Sequence, residues 1–338
     1  MANKIGTILH GGPVDFAEVK RVRDALLFEG AILDKKLVRF FCLLILAASI
    51  ATFGLLGNSL AVVIGAMIVA PLMLPIMGLA FSVGIGDRLA MKSSLLVSLS
   101  GIAVAVAIGF ILTLPIASLY KPESIEQVMI RTSPRLLDLL AALATGLAGA
   151  FALSRKDVSD TLPGVAIAVS LVPPLANVGI LLALGRPGLA LGSLLLFATN
   201  YFAILLTGAL VFVLLGFSEA AMIERTDWAK RKAITIAFYG ILLITIPLSY
   251  TSYGIIVNNA ITARIYKVSN QWLKDSSYRL ISINTETADD TIYMVLRGDG
   301  EIPPLDILIE QLSGNTFDKN IRVETVQSKV KYLQLVKN

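Results

Sequence analysis

The sequence predicts a polytopic α-helical membrane protein of about seven spans. It would hold an inverted three-plus-three repeat with proline-broken helices, followed by a small C-terminal α/β domain. Three observations carry this. The 338 residues are 56% apolar, with a mean hydropathy of +0.77. Only 16% are charged, against about 25% in soluble proteins, and the charges cluster between long apolar runs. Two uncharged apolar stretches, 61–86 and 162–185, each carry a pair of prolines near the middle, and each is long enough to cross a bilayer.

The chain begins with a polar segment, 1–36. Phe16, Val19, Val22, Leu26 and Leu27 recur close to helical spacing with basic residues between them. This predicts an amphipathic helix on the membrane surface or docked on the first loops. The first apolar run starts near Leu37, too far in and too long for a signal peptide.

Seven spans follow, in a transmembrane domain over 37–257: Leu37–Gly57, Leu60–Gly86, Ser93–Leu119, Leu136–Leu153, Leu162–Leu184, Gly188–Gly216 and Ala233–Val257. Gly57-Asn58-Ser59 alone joins the first two, as in a tight helical hairpin. With the N-terminus cytoplasmic, the inside loops hold fourteen Lys and Arg residues. The outside loops hold only Lys121, Arg131, Arg135 and Arg186. That asymmetry sets the orientation. The expected location is a prokaryotic plasma membrane, with the C-terminal domain outside the cytoplasm. A re-entrant proline segment would move that domain inside.

A shift of 102 positions lays Pro71 on Pro173, Ala66 on Ala168 and Ser59 on Thr161. The repeat halves are then 37–119 and 136–216, with 233–257 as an extra span. Three spans per half is odd, so the second half enters from the opposite face. Interrupted segments in matching places of two halves point to a transport site.

Residues 258–338 read as an α/β domain in the order helix, strand, strand, helix, strand. The strands are Tyr278–Glu286, Thr291–Arg297 and Ile321–Val326, and Pro303–Leu312 is the second helix. No phosphate loop or catalytic cluster is evident there, so assembly or partner binding is its expected role.

The candidate solute or ion path is built on the prolines. Proline in a helix interior removes a backbone hydrogen bond at a cost of roughly 3 kcal/mol. Pro71, Pro75, Pro173 and Pro174 would free the carbonyls of Met67, Pro71, Val169 and Ser170, which in hydrocarbon need another partner. That partner is a neighbouring helix, water or a bound cation. Ser170 and Asn177 share a helix face, as do Ser193, Asn200 and Thr207, and also Ser94, Ser98 and Gly101. These groups either line a polar path or hydrogen-bond helices together. Asp138 is the lone carboxylate inside a predicted span, with Arg135 and Arg131 on its face. The Arg135–Asp138 pair either locks the fourth span or couples a proton or cation.

The composition excludes other classes. The net charge of +5 reads as topology, not nucleic-acid binding. Cys42 and His10 stand alone, so no metal site or disulfide is expected. No cofactor is called for. An enzyme is not expected, for want of a spanning His or paired carboxylates. The expected partners are the lipid bilayer, further copies of the chain, and a protein partner for the C-terminal domain.

GAMIVAPLMLPI at 65–76, RTSPRLLDLLAALATGLAGAFALSR at 131–155 and PGVAIAVSLVPPLANVGI at 163–180 resemble the uncharacterised hydrophobic-domain family, domain of unknown function 389. The resemblance covers roughly residues 37–257. It implies a membrane-embedded helical protein and no substrate. The preferred function is passage of a small solute or ion. The alternative is a structural or sensory membrane assembly protein acting through its C-terminal domain.

Overall fold

The computed structural model describes residues 12–30, 33–159, 171–222, 260–286, 291–312 and 320–327, with single positions between 235 and 257. They fall into two compact units that part between Ser252 and Tyr253.

The first unit opens with α1 (Phe16–Leu26). Asp15 caps it, its carboxylate accepting from the Glu18 amide at 2.8 Å. Val19, Val22 and Leu26 are buried in the core of this unit, so α1 is docked on it. Three basic residues hold it there. Arg21 donates to the carbonyls of Leu153 and Ser154, and Arg23 pairs with Glu29 and Asp87. Lys36 donates to the carbonyls of Asp24 and Leu27.

Next come α2 (Leu33–Leu56), α3 (Leu60–Val69), α4 (Met73–Gly84) and α5 (Arg88–Thr113). A 3₁₀ turn (Leu114–Leu119) and a connector lead through α6 (Glu126–Met129) to α7 (Leu136–Ser154) and α8 (Lys156–Ser159). After residues 160–170, which lie outside the described set, come α9 (Val172–Ala183), α10 (Pro187–Leu214) and α11 (Phe217–Met222).

Among the described residues, four helical stretches are long and apolar enough to cross a membrane: Leu33–Leu56, Arg88–Leu119, Leu136–Ser154 and Pro187–Leu214. A fifth arises if α3 and α4, bent by 50° at their break, form one span. Of the seven predicted spans, the fifth is described only in its second part, as α9. The seventh lies mostly outside the described residues. The long helices present large apolar side chains outward, among them Leu46, Phe53, Leu96, Ile111, Leu137 and Leu191. Apolar surface of that extent fits contact with lipid.

The prolines do not break helices from within. Pro75 is the third residue of α4, and Pro173 and Pro174 are the second and third residues of α9. The first four amides of a helix have no partner inside it, so proline costs little there. Only Pro71 sits in the break itself, and its carbonyl accepts from the Leu74 amide at 3.1 Å. The expected release of an interior carbonyl by Pro75 is therefore replaced by a turn that starts α4.

Helix starts also move the internal correspondence. Met73 and Val172 open α4 and α9, and they lie 99 positions apart, not 102. At 99 the third-residue prolines, Pro75 and Pro174, coincide. So do the turns that follow. Gly86 and Gly185 both have positive φ, 66° and 70°. The amides of Ile85, Gly86 and Asp87 bond Phe81, Val83 and Ser82, just as those of Leu184, Gly185 and Arg186 bond Ile180, Leu182 and Leu181. Glycine at such a helix end carries no Cβ penalty. Asp87 then caps α5 through the amides of Leu89 and Ala90.

The packing is reciprocal at the same offset. Gly109 of α5 lies against the backbone of Ala176, and Gly179 of α9 lies against α5 between Val106 and Phe110. In matching fashion Gly208 of α10 lies against Met77 and Ala80 of α4. Thus α9 packs on α5, and α4 on α10.

Contacts sort the turns into two groups. The Asp87 turn meets α1 and, through it, the end of α7. The Asn58 turn meets the connector, its side-chain carbonyl accepting from the Gln127 amide at 2.9 Å. Arg186 meets the same connector through Glu123 at 2.8 Å.

The second unit contains helix α12 (260–272), β1 (Arg279–Glu286), β2 (Thr291–Gly298), α13 (Leu305–Leu312) and β3 (Asn320–Gln327). The sheet order is β1-β2-β3, with β1–β2 antiparallel and β2–β3 parallel. Parallel neighbours need a crossover, and α13 lies in it. Ile292, Met294 and Leu296 alternate inward from β2 onto Ile265, Trp272, Leu308 and Leu312. The Trp272 indole donates to the Pro304 carbonyl at 3.1 Å.

Candidate functional site

The two short helices are the most enclosed elements of the first unit. Every residue of α4 except Leu74 is buried, and so is every residue of α9 from Val172 to Leu181. Polar groups inside such apolar packing cost free energy unless paired.

Asn177 stands one turn inside α9 and is fully buried. Its amide nitrogen donates to the Val128 carbonyl at 3.0 Å and to Ser193 Oγ of α10 at 2.7 Å. Ser193 in turn donates to the Arg131 carbonyl at 2.8 Å. Arg131 Nη1 donates to the backbone carbonyl of Gln127 at 2.5 Å and to its side-chain oxygen at 3.1 Å. Gly192 completes the seat, since only a residue without Cβ lets the Thr132 carbonyl come so close to α10. The connector 125–132 is thereby tied to α9, α10 and the Asn58 turn.

Three atoms of the buried polar set are Arg131 Nε, Asn177 Oδ1 and Asn200 Oδ1, each shielded from solvent. Arg131 is only 8% exposed, and among the described residues no carboxylate lies within ion-pair distance of it. Burial weakens the guanidinium's hold on its proton, and the Asp138 carboxylate acts the other way.

Toward the middle of the long helices, Ser98 of α5 donates to the Tyr201 hydroxyl of α10 at 3.2 Å. Tyr201 rests between Phe197 and Phe202. Asn200 and Thr207 are buried on the face that carries Ser193. Thr207 bonds back to the Ala203 carbonyl of its own helix.

The sequence-derived candidates are thus dispersed. Asn177 joins Ser193 and Arg131, while Asn200 lies two turns along α10. Met67 is partly buried in α3. Val169 and Ser170 lie outside the described residues. Asp138 accepts from the Arg135 amide at 2.9 Å and from its guanidinium at 3.2 Å, a cap on the first turn of α7. Arg131 is not on the helical face of Asp138, because α7 starts only at Leu136, after Pro134. Gln127 is the functional candidate that sequence reasoning passed over, while Arg131 counted there as a loop charge and as a neighbour of Asp138, not as part of the path. Its signal was a lone arginine between apolar residues and Ser133-Pro134. Among the described residues no group of three or more His, Cys, Asp or Glu could hold a metal.

Helices of this length and apolarity, with large apolar side chains turned outward and buried polar side chains bonded from helix to helix, fit an α-helical protein of the membrane-embedded class. Residues 67–206 match the family model "Domain of unknown function (DUF389)". A similar chain is an uncharacterized protein of Methanocaldococcus jannaschii, 32% identical over 204 residues, which are 60% of each chain. The chain thus matches less than two thirds of that relative's length. No solved structure matches.

Proposed function

We propose that the helical unit provides a path across the membrane for a small solute or ion, as a transporter or channel-like protein. Its two halves, 37–119 and 136–216, form an inverted repeat, joined by a seventh span at 233–257. The observation that carries this reading is the reciprocal packing of α4 and α9 onto the opposite long helices at a constant offset of 99 positions. Two like halves that exchange their inner helices around a pseudo-two-fold axis are the plan of many secondary transporters.

A 50° bend lets α3 and α4 continue in one general direction. Together they reach about 33 Å, close to the hydrocarbon thickness, which favours a broken span over a re-entrant hairpin. The excess of Lys and Arg on one set of loops favours a cytoplasmic N-terminus. Seven spans then carry the C-terminal α/β unit to the other side. That unit is a candidate for partner binding, and the helical unit for self-association. No catalytic role is proposed.

The test is flux from proteoliposomes. Purified protein is reconstituted with a panel of entrapped small ions and polar solutes. The reading predicts release of at least one of them, about tenfold or more above empty vesicles. Uniformly tight vesicles with folded, inserted protein would contradict it. Loss of a co-purifying partner on removing 258–338 would then favour a membrane assembly role.

A further inference from the structure

We infer that α1 is a releasable strap over one end of the helical unit, and that the connector 125–132 is a fixed closure over the other. This rests on the proposed path, whose two ends these segments would cover.

The two segments occupy matching places. Lys36, near the start of α2, donates to carbonyls at the end of α1, and Asn58, just past the other end of α2, accepts from the connector. A helix of 24 residues is about 36 Å long, so the segments lie at its opposite ends. The offset of 99 relates Gly78 of α4 to Asn177 of α9, and Ser94 of α5 to Ser193 of α10. A Cβ on Gly78 would stand 3.0 Å from the Leu26 carbonyl oxygen of α1 and 3.1 Å from Ser94 Oγ. The Asn177 side chain meets the Val128 carbonyl of the connector and Ser193 Oγ. Each short helix thus turns one position toward a carbonyl of its covering segment and a serine of the next long helix.

The fastening differs. Asn177 and Ser193 bolt the connector from inside, and both are fully buried. Under α1 the bolt is missing. Glycine holds that position, and Ser94 Oγ is buried with no hydrogen-bond partner among the described residues. Apart from its apolar face, α1 is held at its rim. Arg21 reaches the carbonyls of Leu153 and Ser154, and Arg23 reaches Asp87, both arginines being partly exposed. Lys36 and Ser93 add bonds to carbonyls at and just past the end of α1. Exposed ion pairs are worth about 0–1 kcal/mol and weaken in salt. The apolar face of a basic amphipathic helix also finds a second seat in the bilayer interface. The connector has no such exchange, because opening it leaves buried polar groups unpaired at about 1–3 kcal/mol each.

The experiment reads thiol accessibility in the full-length protein in nanodiscs. Cys42 is replaced by serine, and Ser94→Cys or Val128→Cys places one thiol under each segment. The thiolate is the reacting form, so labelling by N-ethylmaleimide reports water reaching a thiol otherwise sealed in apolar packing. Arg21→Gln combined with Arg23→Gln should speed labelling at position 94 about tenfold and leave position 128 unchanged. A second measurement keeps both arginines and raises salt to about 1 M, where the Debye length is about 3 Å. It should speed labelling at position 94 alone. An unchanged rate at position 94 in the folded arginine variant would overturn the inference, as would equal acceleration at position 128. Where that variant does not fold, an unchanged rate at position 94 in high salt would overturn it. Acceleration at position 94 without flux of any solute would leave the strap standing and contradict the path. Flux with both thiols sealed throughout would do the reverse.

Discussion

Gly109→Ala is expected to abolish accumulation of folded protein, whereas Gly208→Ala is expected to be tolerated. In an exposed helix interior, Gly→Ala would stabilise by up to about 1 kcal/mol through propensity. Here the sign reverses. A methyl group on Gly109 would run into the carbonyl, carbon and Cα of Ala176, all backbone. Backbone cannot swing aside, so α5 and α9 would have to separate. Over-packing of this kind costs about 1–3 kcal/mol where side chains absorb it, and more where main chain must move. At Gly208 the corresponding neighbours are the Ala80 methyl and the Met77 sulfur, both at 3.1 Å. Methionine is adaptable, so the loss should stay below about 1.5 kcal/mol. Fluorescence-detected size-exclusion of the two variants reads the difference. Equal behaviour would show that the two contacts do not differ as described.

Asn177→Leu is expected to produce the second large effect. It removes the donor from the Val128 carbonyl and from Ser193 Oγ at once. Each buried group left unpaired costs about 1–3 kcal/mol. The connector should then detach from α9 and α10, exposing the Arg131 region to protease, and any solute flux of the native protein should fall about tenfold or more. Asn177→Leu protein with native protease resistance and native flux would show that the knot holds nothing. Thermal unfolding of the same samples separates a destabilised fold from a lost path.

Much of this architecture is legible in the sequence because lipid imposes a simple rule. A helix that crosses hydrocarbon must be long and apolar, so Leu33–Leu56, Arg88–Thr113, Leu136–Ser154 and Pro187–Leu214 fall close to the predicted spans. In the C-terminal unit the alternation of Ile292, Met294 and Leu296 marks a strand buried on one face. The prolines were harder to read. Their presence signals an interruption, but whether proline ends, kinks or opens a helix depends on where the hydrogen-bonding ladder starts. Aligning Pro71 with Pro173 gives 102, whereas the helix starts align Pro75 with Pro174 at 99. Arg131 was the least legible residue. A basic side chain in a loop ordinarily meets solvent, and only the docking of 125–132 against α9 and α10 buries it.

The opposed arrangement of the two halves is the claim on which the path depends, and sidedness labelling tests it most directly. With Cys42 replaced by serine, single cysteines are placed at Arg88 and at Gly188, both exposed and each just past one of the matching glycine turns. A membrane-impermeant maleimide is applied to sealed vesicles of known orientation. The account predicts that it labels one of these positions from outside and the other only after the vesicles are opened. Labelling of both from the same side would contradict it.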